Sequence, residues 1–454
     1  MSNIGWQPEL ITRYNIHGPR YTSYPTALSL VSPMLEQPIL SALARSSQQL
    51  SLYIHLPFCH KLCFYCGCNK VITRHQWKAD DYLTALEHEI KLYKPLIAHR
   101  TVGSLHLGGG TPTFLTEVQL TRLINMLETH LGLNVNAGHE ISIEIDPRSC
   151  TLEKLAHLKS LGFNRVSYGV QDVNEDVQIA INRVQESSMV AAHIAMARTL
   201  CFDSINLDLI YGLPMQTLTG FARSLAQVVE WAPDRISLFS YAHLPSRFAG
   251  QRKIKNDSLP STEHKLAMLQ LGIEKFTDAG YQAIGMDHFA KPTDELARVQ
   301  RAGKLQRNFQ GYTTHGSNAL LGLGASSISQ VDGVIWQNEK DVKPYSDLAL
   351  ANKLPVAKGV TLSVDDRIRA DLIAELICHF ELNTQAFACK WGIDFEHYFA
   401  DSLVRLQPFV RDGLVSISES SIRVLPVGKL LVRSICSTFD LYLHEGQTRY
   451  SKVV

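Results

Sequence analysis

The sequence carries almost no charge of one sign in excess: over 454 residues, 44 Lys and Arg stand against 43 Asp and Glu, a formal net charge of +1. A chain that lies along nucleic acid or an anionic membrane surface shows a basic excess, so neither partner is expected and any anion site must be local. Long apolar runs are missing as well. No stretch approaches the ~20 continuous apolar residues of a bilayer span, and the leading segment MSNIGWQPELITRYNIHGPR lacks the apolar core of an export signal. A cytoplasmic location is therefore expected. Low-complexity tracts and internal repeats are absent, and the 45% hydrophobic and 19% charged residues are the proportions of an ordinary globular chain with room for about two or three domains. Cysteine pairing is the last thing lacking. The count is nine, an odd number, and in a reducing compartment a disulfide framework is not expected.

What is present begins with a rhythm. From about Leu50 to Tyr241, short alternating apolar runs are followed by longer segments with helical spacing, the pattern of βα units. Six runs read as strands: SLYIHLPF, SLHLGG, ISIEID, RVSYGVQD, INLDLIYG and RISLFSY. In the first, Leu52, Ile54 and Leu56 share one face and Tyr53 and His55 the other. Between the strands, Leu83, Leu86, Ile90 and Tyr93 form a helical stripe expected to end at Pro95, and Leu120, Leu123, Ile124, Leu127 and Leu131 form another. Six units are too few for a closed eight-unit barrel, so pattern alone leaves an open partial barrel or an open doubly wound sheet. Residues 1–48 fit no unit and read as an irregular arm containing GPRYTSYPT. Residues 49–355 form the α/β domain with a C-terminal extension. Residues 356–454 read as a mostly helical domain, winged-helix-like because a short hairpin in DGLVSISESSIRVL precedes a helix.

The cysteines are unevenly spread. Cys59, Cys63 and Cys66 stand at CxxxCxxC spacing just after the first strand, with Cys68 close behind, while Cys150, Cys201, Cys378, Cys389 and Cys436 are scattered. Three thiolates on one loop can hold three irons of a [4Fe–4S] cluster and leave the fourth open. The same spacing suits structural zinc completed by Cys68, His55, His60 or His75, although a second paired ligand set farther along the chain is missing. Glu144 alternates away from Ile141, Ile143 and Ile145, and Gln171 and Asp208 occupy comparable polar positions near later strand ends. In barrel-type sheets those ends carry the active site.

CxxxCxxC with Tyr65 before the third cysteine, followed by GGGTP, resembles the radical S-adenosylmethionine superfamily. GPRYTSYPT, CGCNK, LHLGGGTPT, ISIEIDP, YGVQD with Asn182 and Arg183 downstream, LDLIYGLP and NFQGYTT together resemble, over nearly the whole chain, the oxygen-independent coproporphyrinogen III oxidases (dehydrogenases). The resemblance implies a curved partial (β/α)6 barrel of parallel strands, with the N-terminal arm over its mouth. It also implies an oxidoreductase that converts two propionate side chains of coproporphyrinogen III to vinyl groups, giving protoporphyrinogen IX in anaerobic haem biosynthesis through a 5′-deoxyadenosyl radical made at a [4Fe–4S] cluster.

The implied residues follow. Cys59, Cys63 and Cys66 hold the cluster, and Cys68 and Tyr53 are the candidate catalytic side chains. Tyr53, Gly109, Glu144 and Ile328 serve one S-adenosylmethionine, with Tyr65 beside it; Gly110, Thr111, Gln171, Arg183, Asp208 and Ala242 serve a second. Arg20, Tyr21 and Tyr24 suit a tetracarboxylate macrocycle, since arginine forks grip carboxylates and tyrosines cover apolar rings. The implied partners are coproporphyrinogen III and a low-potential electron donor such as flavodoxin or ferredoxin, with the enzyme a monomer. A rival reading is a haem-binding or trafficking relative without decarboxylase activity. The arm and the CGC ending favour the enzyme.

Overall fold

A computed structural model describes residues 4–316, 319–443, 450 and 452. The chain divides into two compact units, each discontinuous in sequence: one takes residues 30–260 and 317–361, the other the chain before 30, residues 261–316 and the chain from 362 onward.

The first unit contains all six expected strands: β1 (Leu50–Leu56), β2 (Val102–Gly109), β3 (Glu140–Ile145), β4 (Arg165–Gln171), β5 (Ser204–Tyr211) and β6 (Arg235–Ser240). Each pairs in parallel with the next, in chain order. A doubly wound sheet would reverse its strand order at a switch point, and no reversal occurs across these six. The sheet is that of a partial barrel. It continues on the other side of β1 with β7 (Ala319–Leu323), which pairs with β1 in parallel, then β8 (Ile328–Val331), β9 (Val334–Asn338) and β10 (Val356–Thr361) in antiparallel succession.

Three details differ from the sequence reading. Pro95 does not end its helix, which runs Trp77–Ile97 and holds the proline in its last turn. The first forty-eight residues are not uniformly irregular: Pro8–Tyr14 and Glu36–Arg45 are helices, and the second buries Ile39, Ala42 and Leu43. That i, i+3, i+4 stripe gives residues 30–48 a face to pack, so they belong with the barrel. The break expected after 355 falls instead after Thr361, because Val356–Thr361 hydrogen-bonds to β9 as an edge strand.

The second unit is mostly helical, with Thr262–Asp278, Val364–His379, Thr384–Trp391 and Ala400–Arg411 as its longer helices. A small sheet of Glu381–Asn383, Ser421–Val424 and Val415–Ile417 supplies the expected hairpin and one more strand. The helix expected behind that hairpin is short, Val432–Cys436, preceded by a 3-10 turn. Leu372, Leu376, Phe387, Phe399, Phe439, Tyr21 and Tyr24 share this unit's core. Residues 444–449, 451, 453 and 454 of the expected C-terminal domain lie outside the described residues. No described helix is long and apolar enough to cross a membrane.

One charge is sealed inside the first unit. Glu89, on the Trp77–Ile97 helix, is fully buried and accepts from Asn338 Nδ2 at 2.6 Å, the Gly324 N–H at 2.8 Å and the Tyr345 hydroxyl at 2.6 Å. Burial outweighs these three donors and pushes its pKa up to about 7 from the ordinary 4.5. Between those values the native state binds more protons than the unfolded chain. Its contribution is thus present below the unfolded pKa and lost as pH rises through the native one. Glu89→Gln should abolish this dependence: relative to the variant, the unaltered protein should lose about 3 kcal/mol of unfolding free energy between pH ~4.5 and ~7.5, measured by urea denaturation at both pH values.

Candidate active site

The site is built on period-two alternation. Burial of Leu52, Ile54 and Leu56 on β1 and of Ile141, Ile143 and Ile145 on β3 turns Tyr53, His55, Ser142 and Glu144 to the opposite face. Strand register lines these up: Tyr53 stands beside His106, His106 beside Ser142, Glu144 beside Ser167, and Asp208 beside Ser237. Neighbours then bond across the strands. Tyr53 stacks on His106 with ring centroids 5.9 Å apart; His106 Nδ1 meets Ser142 Oγ at 2.7 Å and its Nε2 meets Glu144 at 3.3 Å. The Gly109 N–H donates to Glu144 at 3.3 Å. Asp208 accepts from Asn206 at 2.8 Å and from Ser167 at 3.1 Å. Burial, with the Glu144 charge adding to it, pushes Asp208 up to about 6.

The cysteine loop leaves β1 through a two-residue pairing of Phe58–Cys59 with Val71–Ile72. Cys59 and Cys63 are buried, Cys66 is half-buried and Cys68 exposed, and all four are free thiols. Burial pushes Cys59 up to about 11, although its bond with Thr111 Oγ1 at 3.4 Å opposes the rise. The Cys68 thiol donates to Cys66, holding Cys66 below the usual thiol range and raising Cys68 well above it, and the Lys70 ammonium helps to lower Cys66. Lys70 also bonds the Cys66 and Cys68 carbonyls at 3.1 and 3.2 Å. A loop with three thiols and fixed cations nearby suits the thiolate donor set of an iron–sulfur cluster. The zinc alternative fares worse: both nitrogens of His55 are engaged, with Tyr53 Oη at 3.1 Å and Asn69 O at 3.0 Å, and the His60 ring lies against Phe114. Among the described residues no three His, Cys, Asp or Glu side chains converge on a single-metal site.

The glycine turn lies against this loop. Gly109 has φ +112°, and a Cβ on Gly110 would stand 2.7 Å from the Phe58 carbonyl oxygen; the N–H groups of Gly110 and Thr111 donate to Leu56 O and Phe58 O at 2.8 Å. Backbone therefore touches backbone where the cysteine loop begins.

The remaining expected residues fall as follows. Gln171 is buried at the end of β4 with φ +70°, after a register shift. Arg183 is buried; it donates to Gly169 O through Nε at 3.2 Å and to Asp146 Oδ2 at 2.9 Å. Ile328 opens β8 next to Ser329, whose Oγ accepts the N–H of Gly322, the β7 partner of Tyr53. The Tyr65 and Ala242 loops are joined by Gln251, whose Nε2 donates to their carbonyls at 2.9 and 3.1 Å. Arg20, Tyr21 and Tyr24 lie in the other unit. Arg20 pairs with Asp287; the Tyr21 hydroxyl donates to Asp440 at 3.0 Å, and Tyr24 Oη accepts the Leu441 N–H at 3.1 Å.

Sequence reasoning missed His106, Asp146, Arg148 and Gln251. The first was readable, since it alternates with Leu105 and Leu107 on β2 as Tyr53 does on β1. Asp146 and Arg148 stand at the C-terminal end of β3, where charged residues in a barrel warrant suspicion. Gln251 had no signal.

The Radical SAM superfamily pattern matches residues 53–228 and the HemN C-terminal domain residues 362–431. The chain is 51% identical over 454 residues to the oxygen-independent coproporphyrinogen III oxidase of Salmonella typhimurium, covering 99% of each. It is 50% identical over 457 residues to that of Escherichia coli, covering all of both. The chain belongs to the oxygen-independent coproporphyrinogen III oxidase family. The solved structure described as coproporphyrinogen III oxidase (HemN) from Escherichia coli, a radical SAM enzyme, superposes with a TM-score of 0.93 at 49% identity, covering 97% of this chain and all of that one. Membership in this radical SAM family carries a [4Fe–4S] cluster and S-adenosylmethionine as cofactors.

The tight glycine turn gives a stability prediction. Gly110→Ala forces a methyl group into backbone rather than into movable side chains, and should cost about 1–3 kcal/mol, read as a lowered midpoint of thermal unfolding.

Proposed function

We propose that this protein catalyses the oxidative decarboxylation of two propionate side chains of coproporphyrinogen III to vinyl groups, giving protoporphyrinogen IX in anaerobic haem biosynthesis. Each decarboxylation removes one hydrogen atom and one further electron from the side chain and releases carbon dioxide. The observation that carries the reading is a loop of three free thiols, Cys59, Cys63 and Cys66, that begins against the Gly110–Thr111 backbone, with Cys59 Sγ 3.4 Å from Thr111 Oγ1, in a barrel whose strands also present Tyr53, Glu144 and Asp208. When bound, the cluster and S-adenosylmethionine would supply the one-electron chemistry needed to take a hydrogen atom from the propionate carbon next to the pyrrole ring.

The chain's own residues bind and orient. Cys59, Cys63 and Cys66 would each hold one iron. Glu144 and Asp208 suit the ammonium and ribose hydroxyls of the nucleoside cofactor, and Arg183 suits its carboxylate. Tyr53 and Ile328 offer apolar surface to an adenine. Gln171, Arg183, Asp208 and Ala242, on and after the later strands, with Gly110 and Thr111 after β2, would serve a second S-adenosylmethionine. Cys68 is open to solvent, as a group that meets substrate must be. Arg20 serves the substrate's carboxylates, for which it would exchange its Asp287 partner, while the buried rings of Tyr21 and Tyr24 hold the segment that carries it. The protein acts as a cytoplasmic monomer supplied by a low-potential donor of the flavodoxin or ferredoxin kind, without nucleic-acid or membrane partners.

The test is anaerobic reconstitution with iron and sulfide, then addition of reductant, S-adenosylmethionine and coproporphyrinogen III, with protoporphyrin fluorescence read after oxidation. The unaltered protein should form protoporphyrin. Cys59→Ala, Cys63→Ala or Cys66→Ala should each lose both the cluster absorbance and turnover. Full turnover by a variant without a cluster would overturn the reading.

A further inference from the structure

We propose that Arg148, clamped by Asp146, is a positioning residue for the iron–sulfur centre: its guanidinium donates to the Cys63 sulfur and raises the reduction potential of the cluster. The clamp is local. β3 ends at Ile145, and Pro147–Ser149 form a 3-10 turn capped by Asp146, whose carboxylate accepts from the Arg148 backbone N–H at 3.1 Å, from Nε at 3.0 Å and from Nη2 at 2.7 Å. Three bonds to a carboxylate two residues away leave the fork one orientation. In that orientation Nη2 stands 3.5 Å from Cys63 Sγ. Arg183 reaches the same sulfur from another element: its Nη1 is 3.5 Å from Cys63 Sγ and 2.9 Å from Asp146 Oδ2.

One carboxylate thus sits between two guanidiniums, and the group carries a net charge of +1 beside one thiol. The side chains are 19% exposed for Arg148, 12% for Asp146 and 7% for Arg183, so solvent screens this charge little. Hydrogen bonds to cluster sulfurs and nearby positive charge both favour the reduced, more negative state. Arg183 also fits the carboxylate of the nucleoside cofactor, whereas Arg148 is tied back by its own turn and faces the sulfur.

The inference rests on Cys63 holding iron, as proposed above. The test is an EPR-monitored redox titration of the reconstituted cluster without S-adenosylmethionine, alongside iron and sulfide analysis. Arg148→Gln should retain iron and shift the midpoint to more negative values by about tenfold in the reduction equilibrium, ~59 mV for one electron; Arg148→Lys should restore part of the shift. Should Arg148→Gln fail to hold iron, Arg148→Lys decides the matter: with iron retained, its midpoint should lie below that of the unaltered protein, and an unchanged midpoint would overturn the inference. An unchanged midpoint in Arg148→Gln with weakened S-adenosylmethionine binding would assign Arg148 to the cofactor carboxylate and overturn the inference. So would an unchanged midpoint with S-adenosylmethionine binding intact. Failure of the unaltered protein to assemble any cluster would remove the functional reading and this one together.

Discussion

The site depends on one constraint: a strand that buries alternate residues must present the others. Leu52, Ile54 and Leu56 are fully buried, so Tyr53 and His55 face the other way. Parallel register then carries the alternation from strand to strand through His106, Glu144 and Asp208, the register shifts of these pairings falling outside that row, at Leu50/Ser51 and past Gly169. A slip of one residue in any pairing would exchange the polar row for isoleucines and leucines. The row is stable because its members satisfy one another. Ser142, His106 and Glu144 form one bonded group, and Ser167, Asn206 and Asp208 another, so few polar atoms are stranded when the face is covered.

Charge is distributed along this face with a consistent sense. Glu144 and Asp208 lie near enough for one to raise the other's pKa, and two such carboxylates invite a cationic group between them. The cations stand where the negative charge of thiolates is expected. Arg148 and Arg183 point at Cys63, and Lys70 lies by Cys66. Burial works against the Asp146 charge, but Arg183 and Arg148 outweigh it and hold its pKa down at about 2, so the carboxylate stays ionised as the link between the two guanidiniums across the neutral range. A chain with a net charge of +1 therefore has separate local excesses of each sign. Bulk composition averages them to nothing.

Much of this was legible in the sequence because period two and cysteine spacing are local signals. All six barrel strands, the side on which Glu144 lies and the grouping of three thiols follow from residues near one another in the chain. What escaped depends on tertiary closure. The two units interleave: residues 261–316 lie between barrel segments in the chain yet fold with the helical unit, and no composition shift marks either crossing. Tyr21 and Tyr24 looked free for a substrate in a turn-rich arm. Instead their rings enter the core of the helical unit and their oxygens bond residues about 420 positions away, as at Tyr21 with a separation of 419, a partner no local pattern can announce. Gln251 bonds the Tyr65 carbonyl, 186 residues back in the chain, and nothing in GQRK signals that.

The buried carboxylate shows how stability and site are coupled. Glu89 fixes the Gly324 N–H, while the Tyr82 hydroxyl, one and a half to two turns earlier on the same helix, accepts the Ala325 N–H at 2.8 Å and donates to the His55 carbonyl at 2.7 Å. The turn joining β7 to β8 is thus fastened at two consecutive residues to a helix and to the strand that carries Tyr53. Ile328 begins β8 just beyond that turn. Tyr53 and Ile328 are thus placed by buried polar groups, and an apolar substitute at Glu89 could fill the space without holding the turn. A buried charge costs free energy, and well-packed apolar residues often stabilise more. The network's advantage is direction, since three donors, on β9, on the turn and on the helix Val342–Leu350, converge on one carboxylate in only one arrangement of those elements around the Glu89 helix.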